Sequence, residues 1–372
     1  MIACHEGHKE IVESLLVYGR SVNAVEKQQC NALMIASKKG HDQIVSLLIK
    51  RIENIDEVET DGWTALMSAC HMGHEKVVDV LLGKNATVDV KDKDGWNAIM
   101  IAAERGHEKI VEKLIAQRKE LVTEKNKGGY TALMLASQNG YDECVKLLVP
   151  YSKIYDVENG KWNAIMLAAQ KGKITTLKHM LEEEVEEEED DDEENDVYNE
   201  EDTEEDDDED DTEEDDTEDD DIEEDEKDGE DNKNDEDVER NEDDNDVKEE
   251  LEQISLEAVE ITGYNALMIA CQNGYEPIVE TLINRGCSVN RVNKKNKCTA
   301  LMLASKNGHT NVVDILLNNN AKINAVTKTG LNALHFATLQ KYKNCKKHTN
   351  TEQKLKEKNC EIINVSIVMT YL

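Results

Sequence analysis

Proline and phenylalanine are nearly missing from this 372-residue chain: Pro150 and Pro277 are the only prolines and Phe336 the only phenylalanine. A core of the size this length allows must therefore be built mainly from Leu, Ile, Val, Ala and Met. No apolar run approaches the roughly 18 residues of a membrane-spanning helix. The opening Met1-Ile2-Ala3-Cys4-His5-Glu6 lacks the charged and apolar regions of a secretory signal. Nine cysteines are scattered without CxxC spacing. They read as free thiols of a reducing compartment, cytoplasmic or nuclear, not as a disulfide framework. GxxxxGKS, GxxxxGKT, HExxH and GxSxG are all absent, so no catalytic constellation, cofactor or metal site is expected.

Charge is abundant but concentrated. The chain has 82 Asp+Glu, 43 Lys+Arg and a net charge of −39. Residues 182–250 hold 49 acidic and 4 basic residues, a net of −45, so the remainder sums to +6. A segment this negative repels phosphates, which disfavours nucleic acid and anionic membrane as partners. Its composition cannot form a core, so it is expected to be a disordered insertion. As a neutral flexible chain it would span about 45 Å root-mean-square, and repulsion extends it further. Within it, Thr203, Thr212 and Thr217 each have an acidic residue three positions on, a context suited to acidophilic kinases.

Outside that segment the chain repeats itself. Asn31-Ala32-Leu33-Met34 returns as Thr64-Ala65-Leu66-Met67, Asn97-Ala98-Ile99-Met100, Thr131-Ala132-Leu133-Met134 and Asn163-Ala164-Ile165-Met166. It resumes as Asn265-Ala266-Leu267-Met268, Thr299-Ala300-Leu301-Met302 and Asn332-Ala333-Leu334-His335. Successive spacings are 33, 33, 34, 32, 102, 34 and 33, so the long gap is one repeat plus the 69 acidic residues. Within one unit, Thr64 is a good N-cap, Ala65 to Ala69 an apolar helix, and Gly73 its left-handed terminator. Val77, Val78, Leu81 and Leu82 make one face of a second helix, and Asp94-Gly95 signals a turn. Such a unit cannot bury its apolar face alone, so neighbours stack into a solenoid.

With this period, the T-A-L-M-x-A opening, the Gly-His before helix two and the Leu-Leu near its end, the chain closely resembles the ankyrin-repeat family. The resemblance covers roughly residues 1–181 and 251–340. It implies an all-α solenoid of about eight helix-turn-helix repeats with β-hairpin loops, and a protein that binds proteins without catalysis. Two departures are systematic. Ala follows the cap where the family has Pro, and Met usually stands in place of its His, an adaptable apolar filler.

Repeat phase places the insertion and the ends. Leu181 has the phase of Leu82, so residues 182–250 leave the loop between helix two and the next hairpin, where insertions are tolerated. The repeats on either side are expected either to join in one stack or to form two stacks on a linker. Met1-Ile2-Ala3 aligns with Met34-Ile35-Ala36, so the first repeat is incomplete; a frayed repeat or a fragment of a longer multidomain protein is the expectation. After residue 340 the pattern decays into a tail with seven lysines between 341 and 359 and an apolar end.

Phase also separates scaffold from candidate contacts. The residue before each cap is Cys30, Trp63, Trp96, Tyr130, Trp162, Tyr264, Cys298 and Leu331, and all three tryptophans share this position. By resemblance it is a hairpin-tip position that varies to bind partners. Stacking would set Trp63, Trp96, Tyr130 and Trp162 in a row about 10 Å apart, in residue types that dominate interface energetics. Alternatively each ring packs on the neighbouring hairpin and only completes the fold. The two residues before the helix-ending Gly, among them His71-Met72, Glu104-Arg105 and Gln138-Asn139, face the concave side in this family. They suit a mixed polar partner or a solvated face. His8, His41, His74, His107 and His309 all follow the repeat Gly, with Tyr141 and Tyr275 in their place elsewhere, so this position reads as scaffold rather than metal ligand. The pairs Cys4/His8 and Cys70/His74 do not close a zinc site.

The functional expectation is a non-enzymatic interaction scaffold. The rival from another class is an acidic chaperone or buffer, with residues 182–250 binding basic proteins such as histones.

Overall fold

The structure, a computed structural model, describes residues 1–19, 24–181 and 256–339. The acidic segment with Thr203, Thr212 and Thr217, and the lysine-rich tail, lie outside these residues.

Helices come in pairs because the same local signals recur. From residue 31 onward, each first helix is opened by an Asn or Thr whose side chain accepts the amide N–H three residues on. Asn31 takes that of Met34 at 2.9 Å, Thr64 that of Met67 at 3.1 Å, and Asn97 that of Met100 at 2.9 Å. Met67 reciprocates, its sulfur accepting the Thr64 N–H at 3.5 Å, as His335 Nδ1 accepts the Asn332 N–H at 3.3 Å. The sulfur thus occupies the acceptor position that imidazole fills where the His is kept. First helices such as Ala32–Lys39, Ala65–Met72 and Ala98–Arg105 end on Gly40, Gly73 and Gly106 at φ between +75 and +80°. Second helices follow at once, as in Asp42–Ile49, Glu75–Leu82 and Glu108–Arg118.

First helices pack on first helices and second on second. The core is aliphatic, with Leu33, Leu66, Ile99, Leu133 and Ile165 buried at one phase and Leu48, Leu81, Leu114 and Leu148 at another. In the repeat at residues 1–19, Ile11 and Leu15 are exposed where Ile44 and Leu48 of the next repeat are buried. Across the acidic segment the stack is continuous. Ala164–Lys171 packs on Ala266–Asn273, and Ile174–Met180 on Glu276–Asn284. The loops are tight turns, and no strand occurs among the described residues.

Neighbouring repeats are clasped at the helix-ending glycine. His107 of one repeat lies over Gly73 of the preceding one, and its Nε2 donates to the His71 carbonyl at 3.3 Å. His41, His74 and His309 repeat this on the carbonyls of His5, Lys38 and Gln272 at 3.1 to 3.2 Å. Histidine at this phase is therefore a structural donor. Where Tyr141 and Tyr275 replace it, the ring still covers the glycine, at Gly106 and Gly172. The donor then comes from the residue before the next glycine: Asn139 Nδ2 reaches the Glu104 carbonyl at 3.1 Å and Asn273 Nδ2 that of Gln170 at 3.4 Å.

Gly73 combines both constraints, since a Cβ there would sit 2.5 Å from His107 Cε1, whereas Gly308 has a similar left-handed φ and no atom of the described residues within 4 Å of such a Cβ. Gly308→Ala is expected to cost about 1–2 kcal/mol, the left-handed penalty alone. Gly73→Ala adds about 1–3 kcal/mol for the displaced ring. Urea unfolding of the two variants measures the difference; equal losses would show that the ring contact carries no weight.

Candidate partner-binding groove

The hairpins between repeats are organised by an acceptor four residues before the aromatic position. Asp92 Oδ1 accepts the backbone N–H of Asp94 and of Trp96, both at 2.8 Å. Glu158 does the same for Gly160 and Trp162 at 2.7 and 3.0 Å, and Asn126 accepts from Tyr130 at 3.0 Å. At four successive steps hairpin is tied to hairpin by a backbone bond: Lys93 N–H to the Asp61 carbonyl, Lys127 to Asp94, Asn159 to Gly128, and Ile261 to Gly160, at 2.9 to 3.0 Å. The recurring Glu59, Asp92, Asn126, Glu158 and Glu260 escaped the sequence analysis, although their spacing follows the repeat. Their chemistry changes between carboxylate and amide, which hides a shared role as acceptor.

These turns place the aromatic residues. Trp63, Trp96, Tyr130, Trp162 and Tyr264 are all half-buried and packed on the edge of the core. The Trp63 Nε1–H donates across to Asp92 Oδ2 of the next hairpin at 3.1 Å, and the Tyr264 hydroxyl accepts from Asn296 at 3.4 Å. One side of these rings therefore serves the fold, while the rest of each ring meets solvent.

Between hairpin tips and first helices run two neighbouring hollows, of about 450 and 560 Å³. Trp63, Trp96, His71, Glu104 and Arg105 line the first. Cys30, Trp63, His71 and Met72 share the second with Lys38 and Lys39. The structure thus brings together hairpin-tip and helix-face residues that lie up to 42 positions apart in sequence, from Trp63 to Arg105. Tyr130, Trp162, Tyr264 and Gln138 line neither hollow, and Asn139 is engaged in the inter-repeat bond. His71 meets Trp63 edge-on, ring centroids 5.3 Å apart at 71°.

Burial and the Glu59 carboxylate push the Cys30 thiol up, and burial pushes Cys70 and Cys144 up further. The seven described cysteines are all free thiols. Among the described residues, no group of three or more His, Cys, Asp or Glu could hold a metal ion, and no helix is long and apolar enough to cross a membrane.

A family description of ankyrin repeats in three copies matches residues 1–92, 84–159 and 267–348, well over half the chain. The chain belongs to the ankyrin-repeat family. Ankyrin repeats are in general protein–protein interaction modules, and the solenoid described above is their fold. Among solved structures, the human ASB11 ankyrin repeat domain is similar at 23% identity, covering 48% of this chain and 80% of that one with a TM-score of 0.44. No curated protein matches.

Burial, and then the nearby Arg105, hold the His71 pKa below its usual 6.5, partly opposed by Glu104. As pH falls, the unfolded chain protonates this residue first. The stability it contributes is present above the ordinary histidine value and is lost as pH falls through that value toward the lower folded one. A ring titration followed by NMR should place His71 below 6.5, with Trp63 fluorescence changing over the same interval. A midpoint at or above 6.5 would contradict the burial argument.

Proposed function

We propose that this chain is a non-enzymatic adaptor whose repeats, at 1–181 and 251–340, form one rigid binding surface, with residues 182–250 as an acidic insertion that tunes its electrostatics. The observation that carries the reading is the first hollow. There, residue positions that vary from repeat to repeat (Trp63, Trp96, His71, Glu104 and Arg105) converge on one concave surface. Tryptophan anchors in a groove with a polar rim are what protein interfaces are built on. Rigidity supports it as well, because a pre-organised surface loses little entropy on binding. Met72, Tyr130, Trp162, Tyr264, Gln138 and Asn139 extend the same face, contributing shape more than anchoring. The free thiols suit a reducing cytoplasm or nucleus.

A second reading is kept by one observation, the net −45 of residues 182–250: the segment captures basic proteins while the repeats serve as its carrier.

Replacing Trp63, Trp96 and Trp162 together by alanine, with partner capture and thermal melting measured in parallel, tests the adaptor reading. Each anchoring ring is expected to weaken a partner by about 2 kcal/mol, some thirtyfold. Unchanged partners with a large fall in melting temperature would reduce the aromatic row to a structural role. Deleting 182–250 separates the two readings: partners of the repeats persist, whereas capture that disappears and is steeply salt-sensitive belongs to the acidic segment.

A further inference from the structure

Within the groove proposed above, and resting on that reading, we infer that the hollow between Trp63 and Trp96 receives a cationic side chain, lysine or arginine, of a protein segment laid along it. Four carboxylates, Asp61, Asp92, Asp94 and Glu104, line the hollow against two cations, Lys93 and Arg105. They are not equivalent. Asp92 is occupied by two backbone N–H groups and the Trp63 indole N–H. Glu104 is offset by Arg105, whose Nε lies 3.5 Å from its Oε2. Asp61 and Asp94 are exposed, and their carboxylates make no hydrogen bond or ion pair with any described residue, Lys93 included. Two uncompensated negative charges therefore flank two indoles.

Repeat phase shows that these two carboxylates are not required by the fold. The position two residues before the hairpin-tip aromatic is Gln28, Gly128, Gly160, Thr262 and Asn296 in other repeats. Only the hairpins carrying Trp63 and Trp96 combine an aspartate there with a tryptophan. The pairing is thus local to one hollow, unlike the scaffold acceptors, which recur along the stack. An indole face attracts a cation through its quadrupole, and a carboxylate beside it adds charge and hydrogen-bond acceptors. Lysine and arginine have, in addition, an aliphatic stem that packs on the rings as the charged end reaches the aspartates. A neutral side chain gains only the stem contact, and an acidic one is repelled.

The test follows the indole N–H signals of Trp63, Trp96 and Trp162 in the full chain. Three synthetic peptides, identical except for a central lysine, arginine or glutamine, are titrated in turn. The basic peptides are expected to shift Trp63 and Trp96 but not Trp162, and the glutamine peptide to shift none. Asp61→Asn with Asp94→Asn should weaken the basic peptides about tenfold while leaving melting unchanged. The acidic segment is intact in this variant, so attraction to it is the same on both sides of the comparison. Equal binding of the glutamine peptide, unchanged affinity in the double variant, or no shift at millimolar peptide would each overturn the inference. If the tryptophan variants lose a natural partner that the aspartate variant keeps, the groove reading stands and the basic occupant falls.

Discussion

The contact on which the solenoid depends is the clasp between the ring of one repeat and the left-handed glycine of the one before. A glycine at φ near +75° ends the first helix and leaves a bare backbone, and the next repeat lays an imidazole or phenol on it, or, at Gly140, the aliphatic chain of Lys173. Two constraints meet at that atom: the left-handed conformation disfavours a Cβ, and the ring leaves no space for one. A side-chain donor then satisfies the carbonyl two residues earlier, which the helix end would otherwise leave without a partner. Because each clasp joins only neighbours, the same geometry recurs from repeat to repeat and the stack is regular.

Regularity is what makes a groove. Once first helices are spaced by the clasp, hairpins fall in register and are joined by a backbone hydrogen bond at most steps, and by the Asn293 side chain on the Thr262 carbonyl at another. The aromatic tips then hold a double position. Part of each ring closes the edge of the core, and Trp63 even donates to the next hairpin, yet the rings remain half-exposed. Structural and recognition roles are not alternatives at such a position. A ring immobilised by the fold has already lost its rotamer freedom, so a partner that uses its remaining face has less entropy to overcome.

Much of this was legible in the chain because it is local. Caps, glycine terminators and apolar phases act within a few residues, and each recurs often enough for its role to be clear. Histidine at the start of helix two was readable as scaffold for a related reason: tyrosine replaces it in two repeats. What escaped was a second donor at the same place. Asn139, on the helix face, also donates to the Glu104 carbonyl where Tyr141 stands for histidine, and Asn307 donates to the Gln272 carbonyl beside His309. The hairpin acceptors Asp92, Asn126 and Glu158 escaped too, since a carboxylate and an amide look unrelated until the backbone N–H groups they accept are seen.

The amino-acid sequence by itself determined the repeat, the helix boundaries, the aliphatic core and the confinement of the negative charge to one segment. All of these follow from residue type and spacing along the chain. Only the tertiary structure decided that the repeats on both sides of the acidic segment join in one stack, with Ile261 bonded to Gly160 and Tyr275 over Gly172. It alone showed that Trp63, Trp96, His71, Glu104 and Arg105 share a hollow in which Asp61 and Asp94 stand uncompensated. The physical reason is that spacing along a chain specifies which face a residue occupies, whereas which faces meet depends on how neighbouring repeats rotate and pack.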